Sequence, residues 1–144
     1  MAMAMRTHCA DALPQIHELY RRLVFTILLR NTDDHLRNHG FLRAVRGWVL
    51  SPAFDINPEL HPGGWLQTPI SEIHGAECSI RAALDAAPYF ELSESEAREM
   101  VGAMARIIAA EWRPIGRELG MMPSDFSALA TVMENEDLVW ARSF

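Results

Sequence analysis

Asn31-Thr32-Asp33-Asp34-His35-Leu36-Arg37-Asn38, followed by a short hairpin-like segment and then Leu50-Ser51-Pro52-Ala53-Phe54-Asp55, is the stretch that decides how this chain reads. It brings a carboxylate, a carboxamide and a second carboxylate close together behind a long apolar segment. Residues 31–39 are polar and loop-like, because Asp and Asn side chains bond nearby backbone and favour turns over helix interiors. Any one of these residues alone reads as a cap or a turn. Their order is what raises them above that, with a hydrophobic residue before Asp55 and two short strands between the halves.

Upstream, apolar residues recur at Ile16, Leu19, Tyr20, Leu23, Val24, Ile27 and Leu28, one face of an α-helix that Phe25 and Leu29 widen. Pro14 suits its first turn, and the helix should end near Arg30 or Asn31. Downstream, Phe41 and Leu42 face Trp48, Val49 and Leu50 across Arg46-Gly47, which predicts two antiparallel strands and a tight turn. From Ile56 to Ser71, Pro58, Pro62, Gly63, Gly64 and Pro69 mark an extended loop, long enough to suggest a functional or partner-facing segment. Ser79 to Ala87 reads as a short helix stopped before Pro88. Ser93-Glu94-Ser95-Glu96 is a capping-box signature ahead of Ala97, Met100, Val101, Met104, Ile107, Ile108 and Trp112 at helical spacing. Pro114 should kink or end that helix, and a last helix is expected from Ser124 to Glu134. The reading is one mainly α domain over residues 1–144, a helical bundle with one short β-hairpin at the loop, its first twelve residues flexible and outside the fold.

With 144 residues, 49% apolar and 22% charged, the chain can bury the core of one domain. Thirteen basic against nineteen acidic residues give a net charge of −6, which argues against a broad nucleic-acid-binding face. All the basic residues are arginine; there is no lysine. Cys9 and Cys78 are too few and too far apart for a disulfide framework, so reduced thiols and a cytoplasmic location are expected. No apolar run approaches the roughly 20 residues of a membrane helix.

Asp33 and Asn38 have the D-x-x-x-x-N spacing of a kinase catalytic loop. Phosphoryl transfer needs the attacking hydroxyl aligned, its proton accepted and phosphate charge offset. On that logic Asp33 is the candidate base or orienting group, with Asp34 a competitor one residue too close to Asn38. Asn38 and Asp55 are candidate Mg²⁺ ligands, since magnesium takes oxygen donors and keeps several waters. His35 and Arg37 brace the loop or touch phosphate, completing a cofactor-binding set of His35, Arg37, Asn38 and Asp55. A metal-dependent phosphohydrolase built on Asp34, His35 and His39 is a weaker alternative, lacking a third histidine at useful spacing. His74 and Cys78 lack partners for a zinc site.

Tyr20-Arg21-Arg22-Leu23-Val24-Phe25 running into Asn31–Leu42, then Gly47-Trp48-Val49-Leu50-Ser51-Pro52-Ala53-Phe54-Asp55-Ile56-Asn57-Pro58, closely resembles HipA-like kinases. Helix, loop, strand pair and Ser-Pro-Ala-Phe-Asp block occur in order. The resemblance implies a protein-kinase-like C-terminal lobe and a serine/threonine kinase toxin of a toxin–antitoxin pair, with ATP and magnesium as cofactors. It implies a helix-turn-helix antitoxin as partner, DNA met only through that antitoxin, and aminoacyl-tRNA synthetases as the target class. By position Asp33 resembles the family's catalytic aspartate, and Asn38 and Asp55 its magnesium ligands. Two departures matter: there is no G-x-G-x-x-G loop, and a chain without lysine cannot carry the phosphate-pairing lysine. Asp55 is followed by Ile56-Asn57, not Phe-Gly. The expectation is a C-terminal fragment without its nucleotide lobe, which binds ATP weakly and does not turn it over. A non-catalytic interaction module is the rival, suited by the acidic balance and the Pro/Gly loop.

Overall fold

The apolar face of residues 16–29 becomes α2 (Ala12–Leu28), the central helix of the computed structural model, which describes residues 1–60 and 63–144. Ile16, Tyr20, Val24, Ile27 and Leu28 are fully buried along it. At about 1.5–3 kcal/mol for each large apolar side chain taken from water, this one face is a main source of cohesion. Tyr20 also donates its hydroxyl to the Ala83 carbonyl (3.1 Å) and packs on Phe90 at 5.1 Å between ring centres.

The first residues, expected to lie outside the fold, form α1 (Ala2–His8) against α2, with Met5 buried. Alternating Met and Ala carry helix propensity but no sharp apolar stripe, so the sequence pattern does not announce the element. Its exit is tied down: the Ala10 amide donates to the Trp48 carbonyl (2.9 Å) and Cys9 bridges Trp48.

β1 (Phe41–Ala44) and β2 (Gly47–Leu50) pair antiparallel, Phe41 opposite Leu50 and Ala44 opposite Gly47. The Ser51 amide then donates to the Gly40 carbonyl (2.9 Å), one more rung beyond the strands. The long loop is irregular as expected, but anchored. Leu66 is buried, its amide bonded to the Ala76 carbonyl (2.7 Å), and Ile70 donates to Gly75 (2.7 Å). Pro62, one of the loop's markers, lies outside the described residues.

α3 (Ile80–Ala86) is capped by Ser79, whose hydroxyl accepts from the Ala82 amide (3.2 Å), and a 3-10 turn over Ala87–Phe90 follows. α4 (Glu94–Glu118) opens on the expected capping box: Ser93 Oγ accepts from the Glu96 amide (3.3 Å) and Glu96 Oε2 from the Ser93 amide (2.9 Å). Pro114 does not end it. The helix runs through, since Trp112 packs on Phe126 of α5 (Pro123–Met133) at 5.9 Å between rings. A Cβ on Gly116 would stand 2.7 Å from Phe126, so only glycine admits that approach. Packing thus offsets the roughly 3 kcal/mol a mid-helix proline costs.

α6 (Glu136–Ala141) was not expected from the sequence; Asn135 caps it, accepting from the Leu138 amide (3.0 Å) and donating to the Leu28 carbonyl (2.8 Å). Its Asp137 accepts from the Ile80 amide (3.0 Å) and pairs with Arg30 (3.1 Å). The architecture is mainly α, with one two-stranded hairpin. Among the described residues no helix is long and apolar enough to cross a membrane.

Candidate active site

The site grows from the two ends of the Asn31–Asn38 loop. At its start, buried Asn31 donates Nδ2 to the Asp55 carbonyl (3.5 Å), and Thr32 donates through amide (3.2 Å) and hydroxyl to Glu59. These bonds fasten the segment after β2 to the segment after α2, across a gap of 24 residues at Asn31 and Asp55. At the loop's end a 3-10 turn over Leu36–Asn38 presents Asn38. Its Nδ2 donates to the Asp33 carbonyl (3.2 Å), which leaves Oδ1 free to accept or to ligate.

Asn38 and Asp55 line one narrow cleft, of about 10 Å³, together with Arg22, Asp34 and His39. Asp55 has φ +58°, a left-handed backbone that Asp tolerates better than most residues. Its Oδ1 accepts from Asn57 Nδ2 (3.3 Å). Gly40 lies against the same segment; a Cβ there would stand 2.7 Å from Ser51 Oγ and 3.3 Å from the Phe54 ring. The missing side chain lets the hairpin's first strand close onto the Ser-Pro-Ala-Phe-Asp block.

Asp33 is different. Its side chain is 72% exposed and lines no part of the cleft; His35 Nε2 lies 3.9 Å from its carboxylate. The structure therefore joins Asn38 to Asp55 in one cleft and joins Asp33 to Asn38 only through the backbone. Arg37 is exposed, without a hydrogen bond or ion pair among the described residues. His35 is partly buried, with Nδ1 unbonded among the described residues.

Asp34, the competing base, has a different duty. Its Oδ1 accepts from His39 Nε2 (3.0 Å), and both side chains are only 9% exposed. This bond closes the loop on itself over five residues. It also undercuts the phosphohydrolase alternative on Asp34, His35 and His39, because two of those groups are committed to each other. Among the described residues no three His, Cys, Asp or Glu side chains gather as metal ligands. His74 bonds instead to Asp85 (2.9 Å). Both cysteines are free, and burial pushes both thiols above their ordinary range, which makes them poor nucleophiles.

The residues that spacing did not reveal are those that hold the site from behind: Asn31, Thr32, Glu59 and above all Arg22. Arg22 could have been noticed as the second of two arginines, Arg21 and Arg22, set between Tyr20 and Leu23-Val24 in α2.

No relative was found among curated proteins. Residues 1–112 match the model of the HipA-like C-terminal domain, and with 112 of its 144 residues inside that match the chain belongs to this family.

Proposed function

We propose that this chain is the catalytic-loop lobe of a HipA-like protein serine/threonine kinase, the toxin of a toxin–antitoxin pair, inactive without a nucleotide lobe. One observation carries the reading: Asn38 and Asp55, far apart in sequence, line the same cleft and are tied to one loop. Their donor set fits magnesium. Asn38 has a free carboxamide oxygen, Asp55 a carboxylate, and both are hard oxygen ligands for an ion that keeps several waters.

In this reading Asp33, exposed to an incoming chain, orients a protein hydroxyl and accepts its proton. Asn38 and Asp55 hold magnesium; bound Mg²⁺–ATP supplies the phosphoryl group and offsets its charge. His35 and Arg37 stand on the same loop, where a cation can meet phosphate. The partners that go with this reading are a helix-turn-helix antitoxin, through which DNA is met indirectly, and a protein substrate of the aminoacyl-tRNA synthetase class. A cytoplasmic setting accords with two free thiols.

The test is phosphate transfer from ATP to protein, with the nucleotide lobe of a HipA-like kinase supplied. Asp33→Asn is expected to lower the transfer rate at least about 100-fold, the ordinary contribution of a positioned base. Transfer that is indifferent to this change rejects the assignment.

A second reading, a non-catalytic interaction module, is favoured by the apolar strip of Ile107 and Ile115 on α4 and Leu119 just past its end, which are 62%, 49% and 78% exposed. Absence of transfer with every lobe supplied would leave that reading standing.

A further inference from the structure

We propose that Arg22 is a positioning residue for Asn38 and Asp55, and specifically that it sets where Asp55 stands; this rests on reading that pair as magnesium ligands. Arg22 is on α2 and only 8% exposed. Glu18, one turn earlier, accepts from its Nε (2.9 Å), and Nη2 donates to the Ser51 carbonyl (2.7 Å). Nη1 is buried with no hydrogen-bond partner among the described residues.

A buried guanidinium with an unmet donor is costly. A fold that needed only to hang one carbonyl on a helix could use a neutral donor. Arg22 instead puts a guanidinium, ion-paired with Glu18 on one side, in the wall of a cleft that two carboxylates, Asp34 and Asp55, also line. His39, whose Nδ1 is likewise buried and unpartnered, faces the same space.

The space beside Arg22 is too small for a phosphate group. Arg22 therefore acts through its neighbours. Ser51 opens the block that ends at Asp55; the Pro52 ring fixes the first φ after the clamped carbonyl, and the bond from Asn31 Nδ2 to the Asp55 carbonyl ties the block's other end. Gly40 backs the other side of Ser51. Fixing the Ser51 carbonyl on α2 thus limits where Asp55 can stand relative to Asn38.

The probe is Mn²⁺ alone, added to the full chain, with paramagnetic broadening of backbone amide resonances as the readout. The wild type is expected to broaden at Asn38 and Asp55 together, and Asp55→Asn to abolish the effect. Arg22→Met is expected to weaken Mn²⁺ binding at least about tenfold, the usual consequence of removing a group that orients a ligand. Broadening at Asp55 should fall away while that at Asn38 persists. Val24→Ala, a core change on the same helix, should lower thermal stability and leave Mn²⁺ affinity alone. Arg22→Lys keeps the charge without the fork, should weaken binding, and serves in place of Arg22→Met if that variant does not fold.

Wild-type affinity in whichever of these arginine variants is folded overturns the proposal, as does an equal loss in Val24→Ala. A wild-type chain with no broadening at Asn38 and Asp55 overturns the magnesium-ligand reading itself, a separate result.

Discussion

Asp33 and Asp34 have the same functional group in opposite surroundings: the first side chain is 72% exposed, the second 9% and bonded to His39. Removing Asp34 strands a buried imidazole whose Nδ1 already lacks a partner. Asp34→Ala should therefore cost about 1–3 kcal/mol, the penalty of an unsatisfied buried group. Asp33→Ala, on an exposed turn, should stay within about 0.5 kcal/mol of wild type. Urea midpoints for the two variants check this, and the reverse order would give Asp33 the structural duty. Spacing to Asn38 favoured Asp33 as the reactive member, and the structure leaves that side chain exposed. What spacing could not show is that Asp34 has a partner five residues on. That pairing depends on the turn over Leu36–Asn38 folding His39 back, and a string of polar residues does not reveal the path of its own backbone.

A phenol adds a buried hydrogen bond to the apolar packing between α2 and α3. Burial pushes the Tyr20 hydroxyl well above its ordinary value of about 10, and as a neutral donor it holds the Ala83 carbonyl. Since the folded chain keeps this proton longer than the unfolded chain, unfolding releases it above about pH 10. This contribution is fully present below that value and is lost as pH rises through it. Buried Cys78, also pushed up, adds a loss of the same sign. Tyr20→Phe should cost about 1 kcal/mol at neutral pH for the lost bond, yet flatten the alkaline fall. Urea midpoints at neutral pH and about one unit above the ordinary tyrosine value measure both effects. An alkaline fall as steep in the variant as in the wild type would assign it elsewhere. At this scale sequence was most readable where one local rule dominates. The Ser93–Glu96 box and the period of α2 needed nothing beyond neighbouring residues. Pro114 left open whether the helix kinks or ends, because its effect depends on distant Phe126, and α6 was missed because six residues carry too little periodicity, although Asn135 followed by Glu136 and Asp137 is a helix-start signal.

The family match stops at residue 112, but the folded unit does not. Beyond that point Val132, Leu138 and Ala141 are buried, Asn135 bonds the Leu28 carbonyl at the end of α2, and Asp137 joins the start of α3 to Arg30. Arg30 in turn donates to the Cys78 carbonyl (2.9 Å), so α6 stabilises the residue immediately before the Asn31–Asn38 loop and the residues that lead into α3. Burial itself raises the pKa of Asp137, whereas its bonds to Ile80 and Arg30 pull the other way. A carboxylate held in so costly a place has its value in the junction it makes and not in its charge alone. A chain cut after Trp112 would lose α5, α6 and the last turns of α4, uncovering Ile108, Val101 and the end of α2 together. Such a truncation should lose the single cooperative thermal transition of the full chain, and its amide spectrum should lose dispersion at Asn31 and Asn38 as well as near the cut. A truncated chain that melts cooperatively within a few degrees of wild type would show that residues 113–144 are an appendage. The bonds from α6 to Leu28, Arg30 and Ile80 argue that they are instead the brace that keeps the loop and its cleft in register.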